Sequence, residues 1–165
     1  MALTLDGTAG ITFPVTAGSA SAVQASSGRV LQVVQASSAG ASNSTSTYAD
    51  TGLSATITPS SASNKVLIIV FHNGVSKNIS GTQSGVNLRL LNGASVISTF
   101  GKLVGYTNSN SYNVGFSVGV NYLDSPTTTS AVTYKTQFAN DANVASVEVG
   151  ANGGISYITL MEIAA

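Results

Sequence analysis

Val114-Gly115-Phe116-Ser117-Val118-Gly119-Val120-Asn121-Tyr122 sets an apolar side chain at every second position, with only small or polar residues between. Successive side chains of an extended chain point to opposite sides, so a period of two marks a β-strand with one face inward. Further along, Val132, Tyr134, Thr136 and Phe138 alternate with Thr133, Lys135 and Gln137 in the same way. Upstream, Asn92-Gly93 separates VNLRLL from ASVISTF. That dipeptide predicts a hairpin through a type I′ turn, whose two central residues both need positive φ. Asn152-Gly153-Gly154 reads as a similar turn between VASVEV and ISYITLMEI, while Asp124-Ser125-Pro126 and residues 140–143 are further turn signals. No apolar repeat of helical spacing runs for a useful length, so no helix is expected. Spacing of this kind over about eight to ten strands predicts an all-β chain, an antiparallel β-sandwich or jelly roll.

The 165 residues suffice for one domain with a hydrophobic core. Charged side chains make up only 7% of them, against roughly 25% in an average soluble protein. The 43% hydrophobic content, rich in Val and Ile, separates the chain from disordered sequences. Six basic and six acidic residues are scattered without a cluster, so no basic stripe is present for nucleic acid or an anionic membrane surface. With no cysteine, disulfides, thiolate metal sites and a Cys nucleophile are excluded. The first residues lack the basic and apolar regions of a signal peptide, and the apolar run Val66 to Phe71 is too short to span a bilayer. The expectation is a chain made in a cytoplasm that stays soluble or joins a particle, without membrane insertion.

Two regions follow from the pattern. Residues 1–28 are small and polar, without a sustained period, and read as an extended arm whose Leu5, Ile11 and Phe13 dock on another molecule. Residues 29–165 read as the β-sandwich head. Within the head, Lys65-Val-Leu-Ile-Ile-Val-Phe-His72 is apolar on both faces, with Val66, Ile68 and Val70 on one and Leu67, Ile69 and Phe71 on the other. An antiparallel strand with a wet outer face alternates instead. The last strand repeats the pattern, with Ile158 and Leu160 opposite Tyr157, Met161 and Ile163. A neighbouring subunit is the simplest cover, so Leu67, Ile69, Phe71, Tyr157 and Met161 are the expected oligomer interface. Gly115 and Gly119 would let another backbone approach closely.

The residues offer little chemistry. His72 is the sole histidine, and it reads as a structural residue at a strand end. Scattered carboxylates with a single histidine supply no metal site, and neither phosphate-loop motif occurs, so no cofactor is expected. Glu148 and Glu162 lie on strands that could be hairpin partners, the one arrangement that would bring two carboxylates together for glycoside hydrolysis; strand glutamates are more often solvated or placed at interfaces. No catalytic residue is assigned. Residues 73–85 and 105–113 are rich in Asn, Ser, Gly and Tyr, a mixture suited to sugar recognition, with Tyr106, Asn108, Asn110 and Tyr112 as first candidates.

The opening MALTLDGTAGITFP resembles the N-terminal stretch of small virion proteins of tailed bacteriophages, especially cyanophages and other aquatic phages. GRVLQVVQ (28–35) and TYADTGLSATITPSSASNKVLIIV (47–70) look like the start of the fibre-head domains attached to such stretches, and ISYITLMEIAA is similar to their closing strand. The resemblance covers both ends and the first third; residues 73–150 are less specific, and Val15-Thr16-Ala17-Gly18 departs from the usual continuation after Phe-Pro. It implies a homotrimeric β-sandwich of the kind compared with tumour-necrosis-factor and C1q jelly rolls. It also implies a place in the virion, where Leu5, Ile11 and Phe13 attach the chain to baseplate, tail or capsid proteins. Two roles fit: a short tail or baseplate fibre binding a host-surface glycan, or a capsid decoration protein or head fibre stabilising the shell. The absence of a long shaft favours a short fibre or a knob.

Overall fold

The computed structural model describes residues 4–6, 10–12, 28–77, 84–107, 115–143 and 146–165. In the arm, β1 (Thr4–Asp6) and β2 (Gly10–Thr12) pair antiparallel, with Leu5 opposite Ile11. The head contains β3 (Val30–Ser38), β4 (Ala41–Asn43), β5 (Ala49–Ile57), β6 (Lys65–Lys77), β7 (Ser84–Asn92), β8 (Ser95–Thr107), β9 (Gly115–Asp124), β10 (Val132–Asn140), β11 (Val147–Val149) and β12 (Ser156–Ile163). Among the described residues the only helical turn is a 3-10 segment, Ala151–Gly153.

The strands form two antiparallel sheets. One has the order β5-β10-β7-β8; the other runs β3-β12-β6, with β9 on the far edge of β6 and β11 and β4 beyond β12 and β3. Because β9 occupies one edge of β6, both β12 (opposite Lys65 to Phe71) and β11 (opposite Ser76 and Lys77) lie on its other edge. They form one interrupted row, as do β3 and β4. Pairing then joins first row to last (β3·β12), second to seventh (β5·β10), third to sixth (β6·β9) and fourth to fifth (β7·β8). A long antiparallel ribbon turning back at β7–β8 and rolled up gives this order, which is that of a jelly roll.

The roll has two ends. At the near end Gly28 N donates to Ala164 O at 2.7 Å and Ala164 N to Arg29 O at 2.9 Å, close to Ile163 opposite Lys65. The far end holds the strand ends Lys77, Ser84, Thr107, Gly115, Asn140 and Val147. Between the sheets lie two apolar clusters. Leu53, Ile57, Val66, Ile68, Leu90, Tyr134, Ile158 and Leu160 fill the near half, and Val75, Val86, Leu88, Phe138, Val147 and Val149 the far half.

Three details depart from the sequence reading. The β7–β8 hairpin exists, but Asn92 pairs with Ser95 and the loop is Gly93-Ala94. Only Gly93 has positive φ there (57°), the requirement of a type II′ turn rather than type I′; Asn92 instead donates to Asp124 Oδ2 at 2.9 Å. Residues 150–154 are not a hairpin, because β11 and β12 run in the same direction along β6. They are a jog within one row, carried by left-handed Gly150, Asn152 and Gly153 (φ 77°, 57° and 77°). Where that jog meets the break between β3 and β4, two backbones touch: a Cβ on Gly40 would lie 2.0 Å from Val149 O, and one on Gly150 2.2 Å from Ala39 O. Finally, β6 continues past His72 to Lys77, so the histidine lies inside a strand and not at its end.

Candidate functional site

The outer face of the β3-β12-β6-β9 sheet carries its apolar side chains in register. One cross-strand row reads Val33, Met161, Leu67, Leu123; the next Gln35, Thr159, Ile69, Asn121; the next Ser37, Tyr157, Phe71, Gly119. These rows contain no charge. Val33 is 56% exposed, Leu123 50%, Phe71 47%, Tyr157 44% and Ile69 40%, while Leu67 and Met161 are half-buried by their neighbours. A shallow hollow of about 290 Å³ opens where Gly119 leaves no side chain beside Ile69 and Phe71. All five residues assigned to the interface from the sequence share this face. Val33 and Leu123 belong with them and were missed, since which strands flank β6 and β12 is a matter of topology.

The opposite outer face, on β5-β10-β7-β8, is built for water. Lys135 Nζ pairs with Asp50 at 2.9 Å, and Gln137 Nε2 donates to the same carboxylate at 2.6 Å. These two hydrogen bonds, that of Gln137 first, hold the Asp50 carboxyl below its usual pKa. Arg89 donates from Nε and Nη2 to Gln137 Oε1 at 2.9 and 2.6 Å, with its guanidinium 3.8 Å from the Tyr48 ring centroid. The two faces of one sandwich thus differ in kind. Large exposed apolar patches mark interaction surfaces.

The loop candidates converge less completely. Tyr106 lies on β8 near the far end and is 49% exposed; Asn108, Asn110 and Tyr112 lie outside the described residues. Of the residues expected to attach, Leu5 and Ile11 are register partners in β1 and β2, and Phe13 lies outside the described residues. At the far end a groove of about 470 Å³ is lined by Asn73, Gly74, Phe116, Ser117 and Asn152, with neighbouring glycines. Phe116 was expected on the inward side of its strand. β6 has one extra residue between His72 and Val75, where β9 has only Val118 to Phe116. This bulge keeps Phe116 opposite buried Val75, on the inward side as expected, and at this end of the strand it is 46% exposed.

The buried titratable groups are structural. His72 is fully buried and stacks on Phe100 at 6.2 Å between ring centroids. Its Nε2 lies 2.9 Å from Thr136 Oγ1 and its Nδ1 3.1 Å from Ser156 Oγ. Asn73 N donates to Ser156 Oγ, while Thr51 Oγ1 donates to Thr136 O and contacts Thr136 Oγ1 at 2.6 Å. One direction satisfies every hydroxyl: Ser156 donates to Nδ1, Nε2–H donates to Thr136, and Thr136 donates to Thr51. The neutral imidazole is the form that fits, and burial lowers its pKa from 6.5 to about 4.

Glu162 is also buried. Its Oε1 accepts from Ser60 N and Oγ at 2.7 Å and from Asn64 Nδ2 at 2.6 Å, and its Oε2 from Gln32 Nε2 at 2.6 Å. Burial alone would raise its pKa; the hydrogen bonds from Asn64, Gln32 and Ser60 outweigh it and bring the carboxyl to about 2. It ties the β5–β6 connection to the last strand. Glu148 pairs opposite Ser76 and Glu162 opposite Val66. Ten residues of β6 separate those positions, roughly 33 Å, so the hydrolytic pairing considered from the sequence does not form. Among the described residues no three His, Asp or Glu side chains group as metal ligands, and no helix is long and apolar enough to cross a membrane.

No protein-family model matches the chain, and no curated protein matches it. Among solved structures, the VP2 subviral particle of infectious bursal disease virus aligns with a TM-score of 0.47 at 11% identity, covering 84% of this chain and 40% of that one. The structure of the Gx strain of the same virus aligns with a TM-score of 0.40 at 12% identity, covering 84% and 37%. The chain spans well under half the length of these structures. The jelly-roll assignment rests on the strand order itself.

Proposed function

We propose that this chain is a non-enzymatic virion structural protein of a tailed phage, a short fibre whose jelly-roll heads form a homotrimer. Residues 1–28 attach it to the particle, and its far-end loops bind a host-surface glycan. The observation that carries the assembly half is the contrast between the sandwich faces, one presenting exposed Val33, Ile69, Phe71, Leu123 and Tyr157 in rows without charge and the other the Asp50, Lys135, Gln137 and Arg89 network. Covering the apolar face with copies of itself removes it from water and gives each copy the same environment. The placement of the ends supports the adhesin half. The arm joins the head at residue 28, while the strand ends that carry both Asn/Tyr-rich loops (Lys77, Ser84, Thr107 and Gly115) lie at the opposite pole. A trimer anchored by its arms therefore presents those strand ends outward, where weak sites gain strength from several copies. The phage assignment itself rests on the resemblance of residues 1–14, 28–35, 47–70 and the closing strand.

Immunogold electron microscopy of phage particles with antibody against residues 29–165 tests the reading. Gold at the tail end is expected. Gold distributed over the head would replace the fibre with a capsid decoration protein, and unlabelled particles would overturn the virion role.

A further inference from the structure

We infer that Asn152 is a self-modifying site, at which the folded chain converts an asparagine to aspartate and isoaspartate while sparing its two other Asn-Gly pairs. This goes beyond the virion reading and does not depend on it. The chain holds three such pairs, Asn73-Gly74, Asn92-Gly93 and Asn152-Gly153. Asparagine is among the thermally labile residues, and a following glycine, with no Cβ, leaves its backbone nitrogen open to attack the side chain. The step needs no enzyme and no partner but water. Gly153 N gives up its proton to solvent base and attacks Asn152 Cγ. The new C–N bond closes a five-membered imide, and the Cγ–Nδ2 bond breaks as ammonia leaves with a proton from solvent. Water then adds to either imide carbonyl. Opening at Cγ gives aspartate, and opening at the main-chain carbonyl gives isoaspartate, whose chain runs on through Cβ and Cγ.

The fold ranks the three pairs. Ring closure requires rotation about the asparagine Cα–C bond, so whatever holds that bond or the amide slows the reaction. At Asn73, within β6, the carbonyl accepts from Gly150 N at 2.8 Å and the backbone N–H donates to Ser156 Oγ at 3.3 Å. Its Oδ1 accepts from Gly74 N and from Ser117 Oγ, both at 3.1 Å. Gly74 is hemmed in, since a Cβ there would lie 2.5 Å from Ala151 O. At Asn92 the side-chain Nδ2 donates to Asp124 Oδ2 at 2.9 Å, and Gly93 N, the attacking atom, donates to Thr133 O at 2.8 Å. At both sites hydrogen bonds must break before the ring can close.

Asn152 lacks these restraints. It and Gly153 are both exposed, on the connection between β11 and β12. The Asn152 side chain has no hydrogen bond among the described residues, and a Cβ on Gly153 would meet nothing within 4 Å. The Gly153 N–H belongs to a single 3-10 turn, Ala151–Gly153, a form with poor hydrogen-bond geometry. The product carries a carboxylate beside Asn73 and Ser117, in a chain whose formal net charge is zero. Isoaspartate also lengthens the main chain by one carbon, close to where Gly150 is pressed against Ala39 O.

The test is peptide mapping by mass spectrometry after the full chain is incubated in heavy-oxygen water at mildly alkaline pH, folded in one arm and in urea in the other. Trypsin, cutting after Lys65, Lys77, Arg89, Lys102 and Lys135, puts the three pairs on separate peptides. Fragment ions assign the position, and the label marks conversions made during incubation and not during digestion. In the folded chain Asn152 is expected to convert at least about tenfold faster than Asn73 or Asn92; in urea the three rates are expected to converge. Asn152→Gly, which suits the left-handed position, should abolish the acidic species that the folded chain forms on ion exchange. Equal rates in the folded chain, a lead by Asn73 or Asn92, or an unconverted Asn152 once the unfolded chain has reacted overturns the site. A lead of Asn152 that persists undiminished in urea overturns the role of the fold.

Discussion

Lowering the pH should destabilise this fold in two separable stages, the first set by His72. Its imidazole is fully buried between Ser156 and Thr136, and its pKa falls from 6.5 to about 4. The unfolded chain therefore takes up a proton near pH 6.5 that the folded chain refuses until near pH 4. Above 6.5 both states hold a neutral ring and the stability is complete; between 6.5 and 4 the unfolded state binds more protons and stability falls with pH. At about 1.4 kcal/mol per unit, the loss between pH 7.5 and 4.5 is about 2–3 kcal/mol, a large share of the roughly 5–15 kcal/mol of a typical domain. With a urea dependence of about 2 kcal/mol per molar, the midpoint should drop by about 1 M. Urea titrations at fixed protein concentration, followed by far-UV circular dichroism at pH 7.5, 6.5, 5.5 and 4.5, measure this. His72→Gln keeps a polar group toward Thr136 but cannot titrate. It should lower the midpoint at pH 7.5 and flatten the profile down to pH 4.5. A wild-type midpoint constant from pH 7.5 to 4.5, or a slope unchanged in His72→Gln, would refute the reasoning.

The second stage belongs to Glu162, whose carboxyl is lowered from 4.5 to about 2; its contribution is present above pH 4.5 and lost as pH falls through 2. Glu162→Gln turns an amide N–H₂ toward donors from Ser60, Asn64 and Gln32, and should cost about 2–4 kcal/mol at pH 7, read from urea midpoints, while removing the transition below pH 4.5. Gly150→Ala sets a Cβ 2.2 Å from a backbone carbonyl at φ 77° and should cost more than about 2 kcal/mol, lowering the thermal midpoint by several degrees, whereas Gly93→Ala in the open hairpin loop, strained only by its φ, should cost about 1 kcal/mol. Phe71→Glu places a charge in the middle of the apolar face without touching the core, and should lower the mass in solution while leaving the circular dichroism spectrum unchanged.

Much of the fold was legible because alternation is a direct consequence of extended geometry. Val132 to Phe138 and the two-faced run from Val66 to Phe71 occupy strands with the predicted sides inward. The apolar outer face could be inferred from β6 and β12 alone. What sequence could not supply was which distant rows lie side by side, so Val33 and Leu123 were invisible as partners of Met161 and Leu67. The β11–β12 jog misled for a related reason: glycine-rich segments announce a change of direction, but a bulge inside one row uses the same left-handed residues as a hairpin. Side-chain parity did hold a signal that went unused. His72 shares its side of the strand with Val66, Ile68 and Val70, and Glu162 shares its side with Ile158 and Leu160, so both were placed to be buried. Asn73, Ser117 and Asn152 come from three elements that only the roll brings together.

Sedimentation equilibrium of the full chain and of Phe71→Glu tests the central claim, that copies of this chain cover the apolar face of β3-β12-β6-β9. The account predicts a wild-type species of about 50 kDa, three times the 16.5 kDa chain, and a monomeric Phe71→Glu with the same strand content. A monodisperse wild-type monomer, or a trimer unmoved by Phe71→Glu, would contradict it.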